Sequence, residues 1–167
     1  LKAGEPVTPD QVECVKMGTT VATNALLERK GEPTLLVTTR GFGDALRIAY
    51  QNRPRIFDRN IQLPELLYSA VVEAQERVGA HGEVVKALDE VLLKQELLNQ
   101  YGRGLRSVSI VFMHGYRYTA HEKAAARLAR GAGFTQVSTS HETSPMMKFV
   151  SRGDTTVADA YLSPVLL

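Results

Sequence analysis

The chain has 167 residues, 44% of them apolar and 23% charged, which is enough length and apolar content for one folded core. A formal net charge of +2 leaves no electrostatic footprint for nucleic acid or an anionic membrane surface, and no apolar run reaches membrane-spanning length. The single cysteine, Cys14, cannot close an internal disulfide, so nothing ties the fold to an oxidising compartment and a cytoplasmic setting is expected.

In chain order, Gln11–Met17 alternates and predicts a strand with Cys14 as inert core. Gly18-Thr19-Thr20 then turns into a helix over Val21–Lys30, stopped by Gly31. Thr34–Thr38 is the nearly all-apolar strand of a sheet covered on both faces. Asp44 can cap a short helix to Tyr50, and Gln51–Leu66, rich in Arg, Pro and Asn, predicts a long irregular loop. Ser69–Val78 and Glu83–Leu88 predict an antiparallel hairpin around Gly79, His81 and Gly82. Asp89 caps a helix through Gln100 that ends at Tyr101-Gly102. Ser107–Met113 is a buried strand. Thr119 and Glu122 spell a capping box before a helix carrying Ala124, Ala125, Leu128 and Ala129, with Gly131 and Gly133 as stop. Phe134–Ser140 is the next strand, and Asp154–Tyr161 a last helix capped by Asp154. Strand–helix alternation at this spacing predicts a single α/β domain over residues 1–167. Its central sheet is mostly parallel, with flanking helices and the hairpin at an edge.

Three groups of residues have chemistry available to them. Gly18, Thr19 and Thr20 stand at a helix N-terminus, where free N–H groups either attract an anion or are satisfied by a threonine cap. Arg40, Arg53, Arg55 and Arg59 lie on loops, as anion clamps or as solvated surface. His114 and the His141-Glu142 pair follow buried strands, either as acid–base groups or as structural hydrogen-bonding partners. Arg152-Gly153-Asp154-Thr155-Thr156 repeats the glycine-turn and hydroxyl pattern of the first group. No P-loop is present, Leu46 interrupts the dinucleotide fingerprint begun by Gly41 and Gly43, and no Cys/His spacing fits zinc, so no metal is expected on this chain.

Four blocks carry a resemblance: KMGTTVATNALLERKG at 16–31, TTRGF at 38–42, NRPRIFD at 52–58 and SHETSPMMKFVSRGDTTVADAYLSP at 140–164. In this order they resemble the N-terminal region of the hydantoinase A and 5-oxoprolinase family, and are most similar to its bacterial 5-oxoprolinases. The resemblance implies part of an ATP-dependent cyclic-amide hydrolase of glutathione metabolism, built on a ribonuclease-H-like core of the actin and sugar-kinase type. It implies ATP and Mg²⁺ in the full-length parent, a small cyclic amide as substrate, and the remaining domains or a partner subunit as partners. By position in the blocks, Gly18, Thr19 and Thr20 are cofactor-binding candidates. Asn24, Arg40, Arg53, Arg152 and Asp159 are substrate-binding candidates, and His114, His141 and Glu142 stand as catalytic candidates. The family's acidic glycine-rich phosphate loop is not in this sequence, so the fragment alone is expected to be inactive, with no tightly bound cofactor. A hydantoinase A subunit, an ATP-dependent ketone carboxylase subunit and a non-catalytic bracing module remain the alternatives.

Overall fold

A computed structural model describes residues 8, 14, 18–51, 57, 59, 60, 63 and 65–166. The expected strand Gln11–Met17, the Arg53 and Arg55 clamp, and much of the loop 51–66 lie outside the described residues, apart from Cys14, which is exposed rather than core.

Four strands make the central sheet: β1 (Thr34–Thr39), β2 (Tyr68–Ala74), β5 (Ser107–Val111) and β6 (Gln136–Thr139). Their order is β2-β1-β5-β6 and every pairing is parallel, as expected. All six residues of β1 are buried, because successive side chains serve opposite faces. Leu35 and Val37 join Ile110, Phe112, Ala125 and Ala129 on one face. Leu36 joins Leu46, Val111 and Val157 on the other. The first face is covered by α3 (Glu90–Gly102) and α4 (Ala120–Ala132), and the second by α6 (Phe149–Leu166). Two shorter helices, α1 (Val21–Leu27) and α2 (Ala45–Ile48), pack against α6, and a third, α5 (Ser140–Thr143), follows β6. Buried hydroxyls on the strands find carbonyls. Thr38 Oγ1 donates to the Val111 carbonyl, and Ser107 Oγ to that of Ala160 on α6.

The antiparallel pair is present but shorter than predicted. The first part of the predicted Ser69–Val78 strand falls in β2 (Tyr68–Ala74), which lies parallel beside β1 in the central sheet. Only β3 (Arg77–Val78) and β4 (Val84–Lys86) pair antiparallel, as a separate two-stranded ribbon. Asp89 caps α3 as expected, accepting from the Leu92 N–H. Gly133 closes α4 at φ 105°, in the left-handed region glycine favours, whereas Gly131 lies inside the helix. Neither Thr119 nor Asp44 makes a side-chain cap bond. The Thr119–Glu122 capping box is not formed, because Glu122 is fully buried and serves other donors.

Two glycines work by closeness, not as stops. α1 ends at Leu27, and Gly31 lies flush on Tyr161, where a Cβ would sit 2.1 Å from a ring carbon. The last helix starts at Phe149, so Asp154 is interior and not a cap. Gly153 is also interior, and a Cβ there would lie 2.5 Å from Leu46 Cδ2. Gly153→Ala should gain roughly 0.5–1 kcal/mol of helix propensity and lose about 1–3 kcal/mol to overpacking against buried Leu46. The expected result is a net loss, read as a lower urea midpoint with an unchanged slope.

Candidate functional site

Because all four strands run parallel, their carboxyl ends open onto one edge, the place where open α/β sheets gather ligand-facing groups. Thr39 ends β1, Glu76 follows β2, Phe112, Met113 and His114 follow β5, and Ser140 and His141 follow β6. Two buried carboxylates organise this edge, and each holds a histidine through Nδ1.

Glu122, on α4, is saturated. Its Oε1 accepts from the Phe112 N–H at 2.9 Å and from Ser140 Oγ at 2.6 Å. Its Oε2 accepts from the His141 backbone N–H at 3.1 Å and faces His141 Nδ1 at 2.7 Å. An ionised carboxylate accepts only, so Nδ1 carries the hydrogen. The charge is balanced by Arg152, itself 0% exposed on α6. Arg152 donates from Nη1 to Ser140 Oγ at 3.1 Å and from Nη2 to the Phe112 carbonyl at 3.0 Å. Its guanidinium also lies 5.5 Å from the Tyr116 ring centroid and 5.6 Å from that of Phe149. Burial pulls the Arg152 pKa below its ordinary value, and the nearby Glu122 charge pushes it back up.

Glu76, 2% exposed, is held more sparingly. Thr39 Oγ1 donates to its Oε1 while accepting from the Met113 N–H at 2.9 Å. His121 Nδ1 lies 2.7 Å from Oε2. His121 and Glu122 are consecutive at the start of α4, so one helix terminus feeds both networks.

The structure gathers His114, His141, Glu142 and Arg152 at this edge. His141 has Nδ1 on Glu122 and a buried Nε2 without a hydrogen-bond partner, 3.9 Å from Glu142 Oε1. Glu142 is exposed and accepts from Thr139 Oγ1 at 2.7 Å. His114 sits at φ 59° beside Tyr116, with ring centroids 6.4 Å apart. Asp159 is elsewhere on α6, accepting from Ser138 and Ser163. Arg40 is exposed and donates to Gln75 at 2.8 Å. Gly18, Thr19, Thr20 and Asn24 are exposed at the start of α1. Thr19 Oγ1 accepts from the Val21 N–H at 3.3 Å, while Thr20 makes no side-chain cap bond. Thr155 and Thr156 bond back to the Ser151 and Arg152 carbonyls inside α6, so the 152–156 segment is helix interior and not a helix start. Arg53 lies outside the described residues.

Glu76 and Glu122 were missed by sequence reasoning. The alternation Val72, Ala74 continues through Glu76 to Val78, and that period places Glu76 on the buried side. For Glu122 the sequence carries no separate signal, because a capping box and an inward carboxylate share one spacing.

Among the described residues, no group of three or more His, Cys, Asp or Glu can hold a metal ion. The N–H groups of Gly41 and Gly43, which could cradle a phosphate, both donate to Glu73 Oε1, at 3.1 and 2.9 Å. The Gly41–Gly43 turn therefore offers no free N–H cradle for a phosphate. No described helix is long and apolar enough to cross a membrane.

The sequence profile of the hydantoinase/oxoprolinase N-terminal region matches residues 2–133. The chain belongs to this family. As a hydantoinase/oxoprolinase N-terminal region, it is 41% identical to a 5-oxoprolinase of Dictyostelium discoideum over 97% of its length, yet spans only 15% of that relative. Its fold superposes on an ATP-dependent caprolactamase from Pseudomonas jessenii with a TM-score of 0.77 and 30% identity, covering 89% of this chain and 22% of that one. A nucleotide-free acetone carboxylase gives a TM-score of 0.75 at 20% identity, with 87% and 22% covered, which is likeness of fold.

Proposed function

We propose that this chain is one domain of an ATP-dependent 5-oxoprolinase, which opens the lactam of 5-oxo-L-proline to L-glutamate with hydrolysis of ATP to ADP and phosphate. The observation that carries the reading is the 41% identity to a 5-oxoprolinase across nearly the whole chain. The carboxyl edge supports it, since the Glu76–His121 pair is a means for moving a proton at an amide. In this reading the parent works in the cytoplasm, in glutathione metabolism. The phosphate cradle and Mg²⁺ ligands come from its remaining domains or a partner subunit. This chain supplies a rigid frame, with Thr20, Asn24 and Arg40 exposed on it to meet the ligand. A ketone carboxylase reading has fold likeness behind it, at lower identity, and a hydantoinase A reading has the family match.

The test is coupled ADP release by the full-length parent, with 5-oxoproline, a hydantoin or a ketone supplied in turn. 5-Oxoproline should stimulate ADP release, with glutamate appearing in equal amount, and the isolated chain should do neither. Stimulation by the hydantoin or the ketone alone would replace this reading with its alternative.

A further inference from the structure

We propose that His121 is the acid–base residue this domain contributes to amide opening, with Glu76 as the group that positions it. The proposal rests on the cyclic-amide reading above, and on a contrast between the two buried carboxylates. Glu122 takes four hydrogen bonds and has the Arg152 guanidinium nearby. The Glu122 carboxylate is fully engaged, and its histidine is sealed, with Nε2 inaccessible. Among the described residues Glu76 takes hydrogen bonds only from Thr39 and His121. Glu76 therefore holds His121 by its Nδ1 N–H and leaves the ring's other nitrogen unengaged. His121 is placed to exchange a proton there. Its side chain is 13% exposed, Nδ1 is committed to Glu76, and Nε2 bonds no described protein group. A carboxylate on Nδ1 fixes the tautomer that leaves the Nε2 lone pair outward.

The chemistry balances with the ATP of that reading. ATP passes its terminal phosphoryl group to the amide oxygen and leaves as ADP. His121 Nε2 takes a proton from a water whose oxygen bonds to the amide carbon, and the carbon–nitrogen π pair moves onto nitrogen. The proton on Nε2 passes to that nitrogen as the carbon–nitrogen bond breaks, and the added hydroxyl gives its proton to solvent and becomes a carbonyl. A second water takes the phosphoryl group from the acyl phosphate. Cyclic amide, ATP and two waters become carboxylic acid, amine, ADP and phosphate, with His121 restored.

The experiment uses the full-length parent and whichever cyclic amide its wild type opens. His121→Ala should lower kcat about 100-fold or more with KM little changed, and added imidazole should restore part of the loss. Glu76→Gln should lower kcat less, because the histidine remains but loses its orienting charge. His121→Gln keeps an N–H for Glu76 and serves as the folded comparison, with circular dichroism and thermal unfolding as checks. A folded His121→Gln enzyme with wild-type kcat would overturn the proposal, as would a loss in His121→Ala that imidazole does not relieve. If the parent opens another lactam and not 5-oxoproline, the substrate reading fails while the His121 comparison is decided on that lactam. A parent that opens no cyclic amide defeats both.

Discussion

Glu122→Ala is expected to destabilise the fold by about 3–5 kcal/mol, the range for removing one partner of a buried charge pair. The truncation strips an acceptor from the Phe112 N–H, from Ser140 Oγ and from both donors of His141, and it leaves Arg152 buried without its countercharge. Those groups belong to the end of β5, to α5 and to α6, so the damage is not confined to α4. Chemical denaturation gives the measurement, as a large fall in midpoint. Adding Arg152→Met should recover part of the loss, since the stranded charge is then gone. A double variant no better than Glu122→Ala would mean that the hydrogen bonds, not the charge balance, carry the effect.

Thr39→Val is expected to cost about 2–4 kcal/mol, because it removes one hydroxyl and orphans two buried groups, each worth roughly 1–3 kcal/mol. The Met113 N–H loses its acceptor and Glu76 loses one of two donors, while valine preserves the shape. The neighbouring Thr38→Val is the control. Its hydroxyl makes a single bond, to the Val111 carbonyl, so its loss should cost only about 0.5–1.5 kcal/mol. Denaturation midpoints for the pair decide the matter, and equal losses would defeat the claim that Thr39 joins two networks.

The parts of the fold legible in the sequence were those written in a single period. β1 and β5 are runs of apolar and small side chains buried on both faces, and such runs have few other uses in a chain with this strand–helix spacing. Asp89 and Gly133 were legible because a cap and a left-handed residue need those side chains locally. What escaped depends on tertiary partners. Thr119-x-x-Glu122 has the spacing of a reciprocal cap, but Ser140, His141 and Phe112 offer Glu122 four donors, and these outcompete the local arrangement. Arg152-Gly153-Asp154 has the look of a turn. It is helix because Gly153 fits against Leu46 and Arg152 reaches the ends of β5 and β6, contacts invisible from the residues alone. His141 and Arg152 stood among the sequence candidates, whereas Glu76 required following the Val72, Ala74 period two residues further.

α6 is pinned at both ends of β5. Near its start Arg152 grips the Phe112 carbonyl, and about two turns on the Ala160 carbonyl receives Ser107 Oγ. A helix tied at two points along a strand cannot slide or tilt without breaking one tie, so α6 and β5 open together or not at all. Slow amide exchange in the middle of α6 should therefore track that of β5. The turns at 40–44 and 113–118, outside the two ties, are where the domain can yield on a faster timescale, so adjustment to a ligand falls to the rim while the sheet beneath it stays fixed.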